Sequence, residues 1–178
     1  MRKSALFAAA LATLVLIPTA RAGETQHGYV GPKKCRLCHD KEEDGAQFTK
    51  WKSGPHAKAF AALSSPKALE FAKTKKIEDP AKAPECLKCH VTGYGKPATV
   101  LGKNWKQEDG VTCESCHGFG ADYYDEAVMK DKKAAVAAGL VIPDEKTCKG
   151  CHNEESPGYK PFDFAKFSKE IAHSRPKK

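Results

Sequence analysis

All eight cysteines of the 178-residue chain fall into four copies of one pattern: Cys35-Arg36-Leu37-Cys38-His39, Cys86-Leu87-Lys88-Cys89-His90, Cys113-Glu114-Ser115-Cys116-His117 and Cys148-Lys149-Gly150-Cys151-His152. Two residues between the cysteines let one turn of backbone present both sulfurs to the two vinyl groups at one porphyrin edge. The next residue then places an imidazole beneath the iron. Two zinc sites or a disulfide framework would use the same thiols, but neither gives a reason for His to follow every second Cys. Four covalently attached c-type hemes are expected, held by Cys35, Cys38, Cys86, Cys89, Cys113, Cys116, Cys148 and Cys151, with His39, His90, His117 and His152 as proximal ligands.

The second axial position decides what each iron can do. Seven histidines in all leave only His27, His56 and His173 for four distal positions. Four bis-histidine sites are therefore impossible, even where identical subunits exchange ligands, and at least one iron takes Met, another ligand or an open site. His56 follows Pro55, which suits a first helical turn, and Phe60 and Leu63 continue an apolar face. It is expected to be a distal ligand, with an ordinary surface histidine as the alternative. His173 ends a short amphipathic segment, 162–171, and His27 lies near the expected mature N-terminus; each is a candidate ligand or a solvated tail residue. Met129, the one methionine besides Met1, is a packing residue or a sulfur ligand, and as a ligand it would raise the potential of its iron.

These sites need an exported chain. Residues 1–22 have the three parts of a secretory signal peptide: Arg2 and Lys3, an apolar run from Ala5 to Ile17, and Ala20-Arg21-Ala22. The run is shorter than the roughly 20 residues of a spanning helix, so cleavage is expected rather than anchoring. No later stretch promises stable membrane insertion. The mature domain is expected to be 23–178, its tail 174–178 disordered, and its address the periplasm, where covalent heme attachment takes place. With 8% aromatic and 29% charged residues and a mean hydropathy of −0.56, side chains alone supply a thin core, and hemes would fill it. The net charge is +8 for the whole chain and +5 for 23–178, with 27 basic against 22 acidic residues. Ionised heme propionates would subtract roughly 8 charges. Lysines interleave with acids along the whole chain, so no nucleic-acid partner is expected.

The first cysteines of the motifs are 51, 27 and 35 residues apart, too irregular for a repeat array. Helices are expected over 41–52, 56–64, 67–75, 123–138 and 164–172, and loops at Asp79-Pro80, Ala83-Pro84, Gly93 to Pro97 and Pro157-Gly158. The expected fold is mainly α: a loop-rich single domain wound around its four hemes, with little β.

At these residues the chain resembles the tetraheme cytochrome c-554 family. The resemblance runs through Gly31-Pro32-Lys33-Lys34, Trp51-Lys52 with His56-Ala57-Lys58-Ala59, Cys86 to Gly95, Gly110 to Gly120 and Cys148 to Asn153, about 130 residues in order. It implies that His56 is the distal ligand of the third heme, at Cys113 and Cys116, and that the second heme is five-coordinate on His90 alone. Two family ligands are missing: Ala127 and Met129 stand near where a distal His follows the third motif, and Val141 stands where another precedes the fourth. His27, His173 and Met129 are the candidates to replace them. Phe119 takes the place of a family proline, and the C-terminal region is shorter.

The expected function is one-electron transfer between redox partner proteins: other cytochromes, an oxidoreductase or a quinol-linked complex of a respiratory chain. Lys73 to Lys76 and the tail Arg175 to Lys178 are candidate docking residues for an acidic partner. The alternative is a reductase or sensor for nitric oxide or peroxide at an open iron, with Tyr94 or a lysine as proton donor. A conductive filament subunit fits less well, because such assemblies favour fully ligated hemes.

Overall fold

The computed structural model describes residues 27–174, so the expected leader and the last four residues of the tail lie outside the described residues. Within them, eleven short α-helices and four 3-10 turns follow one another with no strand, as the mainly α expectation holds. The four motifs each build a helical turn: α1 Pro32–His39, α5 Pro84–His90, α7 Cys113–His117 and α10 Glu145–Lys149. Proline at the first turn starts α1 and α5, where its missing N–H has no partner to lose. At α10 the Asp144 carboxylate accepts the Thr147 N–H while the Thr147 hydroxyl returns to the Asp144 N–H, a reciprocal cap.

Between α1 and α5 the chain forms a 3-10 turn, Glu42–Asp44, then α2 Gln47–Ser53, a 3-10 turn His56–Lys58, α3 Ala59–Ala62 and α4 Pro66–Thr74. The expected helix over 41–52 is thus cut in two, because Gly45 and Ala46 both take positive φ. After α5 come α6 Ala98–Leu101, a 3-10 turn Gln107–Asp109, and α7. Beyond a 3-10 turn at Gly120–Asp122, the expected helix 123–138 is also split, into α8 Glu126–Met129 and α9 Lys132–Ala137. Asp131 causes the break: its carboxylate caps the second piece by accepting the Lys133 and Ala134 N–H groups at 2.8 and 3.2 Å. Asp163 likewise starts α11 Phe164–Ile171.

Single cross-chain backbone bonds hold these pieces in place. Tyr29 N–H reaches the Val100 carbonyl, Ala121 N–H reaches Gly28, Val111 N–H reaches His56 and Val141 N–H reaches His117, all at 2.8–3.1 Å. Gly110 makes one crossing possible. It sits at φ +67, and a Cβ there would lie 3.2 Å from the His56 carbonyl and 3.3 Å from the Phe60 nitrogen.

The core is small. Leu63, Leu87 and Val91 form its centre, with Phe60, Ala81, Tyr94 and Trp105 packed around them. Among the described residues no large side chain is completely buried, and Leu37, Ile142 and Tyr124 are 72, 54 and 50% exposed. A chain of this length ordinarily buries a fuller core. The exposed apolar residues include Leu37, inside the first cysteine turn, and Val141, whose carbonyl meets His117 of the third.

Candidate cofactor sites

None of the eight thiols is joined in a disulfide, and seven of them are half-buried, with Cys38 exposed. The turns meet through their sulfurs. A hydrogen bond with Cys113, then burial, pushes the Cys35 pKa up, and the same bond lowers that of Cys113 against the effect of its burial. Burial, followed by the nearby Cys148, raises Cys116. Burial again, with the charge and hydrogen bond of Cys89, pushes Cys151 up to about 12. The first motif thus lies beside the third, and the second beside the fourth, where Cys89 Sγ stands 4.0 Å from the Cys151 carbonyl.

The histidines are oriented as ligands. His90 Nδ1 lies 2.7 Å from the Ala59 carbonyl, His117 Nδ1 lies 3.1 Å from that of Val141, and His173 Nδ1 lies 2.8 Å from that of Ile171. A carbonyl accepts only from an N–H, so each ring carries its proton on Nδ1 and keeps the Nε2 lone pair free for a metal. Burial lowers the His56 and His117 pKa values below the ordinary imidazole range, which favours the same neutral form.

The distal candidates fall in distinct places. His56 faces His152 with ring centres 6.1 Å apart, and His173 faces His117 at the same separation. The family resemblance led us to expect His56 opposite the third motif. In the structure the His56 ring instead stands beside that of His152, although the Val111 N–H holds the His56 carbonyl two residues before the third motif, and the ring beside His117 is that of His173. His27 binds the Asp122 carboxylate through Nδ1, and its ring lies against Gly139. Met129 closes α8, half-buried, with its N–H on the Asp125 carbonyl at 2.9 Å.

Two positioning groups escaped the sequence reading. Glu114, between the cysteines of the third motif, is only 3% exposed and accepts three backbone N–H groups, from Val30 at 2.9 Å, Gly31 at 2.8 Å and Gly120 at 2.8 Å. Burial raises its pKa, partly offset by those three bonds. It ties the approach to α1 onto α7, so the first and third turns share one anchor. Thr92, 3% exposed, donates to the Gly110 carbonyl at 3.1 Å, shares a 2.6 Å bond with the Ser115 hydroxyl and accepts the Thr112 N–H at 2.6 Å. Trp105 adds its indole N–H on the Thr92 carbonyl at 2.7 Å, and Trp51 donates to the Val111 carbonyl at 2.9 Å. A carboxylate flanked by cysteines and a lone threonine look like surface in a one-dimensional reading; only their N–H partners, over 80 residues away for Val30 and Gly31, betray them.

The donor set suits covalently bound heme. Four pairs of free thiols each stand one turn apart beside an imidazole, carbonyls fix the tautomer of two of those four imidazoles, and the exposed apolar Leu37 and Val141 stand at the first and third turns.

Comparison with known proteins agrees in kind. The family described as Cytochrome c554 and c-prime matches residues 34–118, a span that holds the first three motifs and His56 but not the fourth motif, Met129 or His173. Cytochrome c-554 of Nitrosomonas europaea is 33% identical over 163 residues, covering 83% of this chain and 66% of that protein, so the chain spans just under two thirds of its relative's length. No solved structure matches.

Proposed function

The chain belongs to the cytochrome c554 and c-prime family, and from that premise we propose that it is an exported carrier passing single electrons between redox partners through four covalently bound hemes. The observation that carries the reading is that the four attachment turns are neighbours: Glu114 ties the approach to the first onto the third, the Thr92–Ser115 bond joins the third to the second, and Cys89 Sγ of the second stands 4.0 Å from the Cys151 carbonyl of the fourth. Four attachment turns in one contiguous series suit a relay, and an isolated site would need no such order.

Heme c, when bound, supplies an iron that gains and loses one electron at a potential set by its ligands and surroundings. The chain's own part is to hold and tune. The eight cysteines would fasten the four groups, and His39, His90, His117 and His152 would each supply a ring nitrogen to the iron. Glu114 and Thr92 fix the first, second and third turns relative to one another through buried hydrogen bonds, so that little rearrangement accompanies a change of charge. The Ala59 and Val141 carbonyls hold the His90 and His117 rings in orientation by accepting their Nδ1–H groups.

The surface over α1 suits an acidic redox partner. Two hollows, of about 890 and 470 Å³, flank this helix, and Leu37 and Lys33 line both. Arg36, Lys52, Lys103 and Lys106 add positive charge, against Asp40, which Arg36 neutralises at 2.9 Å, and Asp109. An exposed leucine ringed by cations steers and seats an acidic protein beside the first attachment turn. Export follows from the expected leader and from the requirements of covalent attachment; no helix of the described residues is long and apolar enough to cross a membrane.

Pyridine hemochrome analysis against protein concentration, with a stepwise reductive titration, tests the proposal. Four hemes and four one-electron equivalents per chain are expected. Three or fewer hemes would overturn the count, and uptake of electrons only in the presence of a small substrate would favour the alternative, chemistry on nitric oxide or peroxide. That second reading draws support from the ligand count alone, which leaves at least one iron short of a second histidine.

A further inference from the structure

We infer that the C-terminal segment 162–173 is a ligand-bearing strap: His173 completes the third site opposite His117, and His56 completes the fourth opposite His152. The inference rests on the four-heme reading and departs from the ligand pattern that the family resemblance implies.

Two imidazoles bound on opposite sides of one metal ion, with N–metal bonds of about 2.0–2.1 Å and ring centres roughly 1.1 Å behind each nitrogen, stand about 6.2–6.4 Å apart. The His117/His173 and His56/His152 pairs both stand at 6.1 Å. Edge-to-face aromatic contacts cover the same range, about 4.5–7 Å, so separation alone does not decide. For His117 and His173 the ring nitrogens do, and His56 follows as the imidazole left beside His152. His117 and His173 each commit Nδ1 to a backbone carbonyl, at 3.1 and 2.8 Å, which leaves two Nε2 lone pairs and no N–H to share between them. Two rings held this way in mutual contact have a place for a Lewis acid and none for each other's protons.

The strap has the construction to deliver the ligand. Phe162 stacks on the His152 ring at 4.6 Å and 14°, and Phe167 stacks on Phe162 at 5.7 Å and 18°, which clamps the start of the segment at the fourth motif. Asp163 then caps α11 by accepting the Lys166 N–H at 3.0 Å. The eight-residue helix covers about 12 Å along its axis and ends two residues before His173, at the third motif. Val141, standing where the family pattern has a distal histidine, serves His117 twice through its backbone: its N–H binds the His117 carbonyl at 2.8 Å and its carbonyl receives Nδ1. The scheme uses His56 and His173, so His27 and Met129 are the remaining candidates for the first and second sites.

The test uses the full holoprotein and the variants His173→Ala, His173→Met and His56→Ala. Hemochrome counting reports attachment, while low-temperature electron paramagnetic resonance and near-infrared magnetic circular dichroism report axial ligation. With the heme count unchanged, His173→Ala is expected to convert one heme from low spin to high spin, reversed by added imidazole, and His56→Ala to convert a different one. His173→Met keeps a ligand in place should the alanine variant lose heme, and is expected to replace one bis-histidine near-infrared band by a histidine–methionine band. In the reduced wild type, His173 ring protons are expected to show nuclear Overhauser contacts to the heme held by Cys113 and Cys116. Unchanged spectra in both His173 variants, or contacts from His173 to the heme held by Cys148 and Cys151, would overturn the pairing. A wild-type count below four would instead strike the underlying reading and leave the spectra of the variants to be judged separately.

Discussion

Glu114 is the sharpest place to perturb the scaffold, because one buried carboxylate carries three backbone bonds that join the first and third attachment turns. Its Oε1 accepts the Val30 and Gly120 N–H groups at 2.9 and 2.8 Å, and its Oε2 accepts Gly31 at 2.8 Å. Glu114→Gln keeps the shape and one oxygen, enough for Val30 and Gly120, but turns an NH₂ group toward the Gly31 N–H. One orphaned buried donor costs about 1–3 kcal/mol, and the removal of a buried charge returns part of it, so about 1–2 kcal/mol is expected. Glu114→Ala orphans all three donors; neighbouring losses are less than additive, and water recovers some, which gives about 3–5 kcal/mol. That is a large share of the roughly 5–15 kcal/mol that holds a domain folded.

The assay is urea unfolding of the heme-loaded variants followed by Soret circular dichroism. With a slope of about 2 kcal/mol per molar urea, the alanine midpoint is expected about 1.5–2.5 M below the wild type. pH adds an independent sign. Burial holds the Glu114 pKa above its ordinary 4.5, so the folded chain keeps the proton more firmly than the unfolded one. Its contribution is fully present below the unfolded pKa and is lost as pH rises through the folded value. Gln does not titrate, so the gap between wild type and Glu114→Gln is expected to be wider at pH 4 than at pH 7. An alanine variant within 0.5 kcal/mol of wild type, or a gap that widens with pH, would refute the account.

Thr92→Val preserves shape but strips the Thr112 N–H and the Ser115 hydroxyl of a partner; about 2–3 kcal/mol is expected, seen as a lower urea midpoint with faster amide exchange at Thr112. Asp144→Ala removes the reciprocal cap of α10 and is expected to cost about 1 kcal/mol by the same unfolding assay, with spectral change confined to the fourth site. The double reversal Lys33→Glu with Lys103→Glu is expected to slow oxidation of the reduced protein by ferricyanide about 3–10-fold at low salt. In stopped flow that difference should vanish as the Debye length shrinks from about 30 Å at 0.01 M to about 3 Å at 1 M, and an unchanged low-salt rate would remove α1 as an electron port.

What the sequence made legible is what its local chemistry controls. The four attachment turns are complete within five residues each, and the expected helix 67–75 matches α4 to within a residue at each end, so both could be read without any fold; Pro84, read as part of a loop, instead starts α5. Elsewhere helix lengths could not be read. Segments 41–52 and 123–138 carry enough apolar and good helix-forming residues to suggest single helices, yet each is cut, at Gly45-Ala46 and at Asp131, because a short piece must turn to follow its neighbours around a centre that side chains do not fill. Periodicity presumes a protein core on the apolar face, and here the one cluster of buried residues that forms is centred on only Leu63, Leu87 and Val91 among the described residues.

The histidine pairing exposes the same limit more sharply. Counting alone proved that four bis-histidine sites were out of reach, since stoichiometry needs no geometry. Which histidine serves which motif is a long-range property: His56 meets a ring 96 positions away, and His173 meets one 56 positions back. A family resemblance transfers such pairings only while the rest of the ligand set is intact. With Val141 at one expected ligand position and Ala127 and Met129 near the other, the third site is open to any imidazole that segment 162–173 brings to it, and the stack of Phe167 on Phe162 on His152 is the contact that brings one. The strap therefore explains the departure of His56 as well: with His173 over His117, the one half-buried imidazole already resting beside His152 has the fourth site to serve.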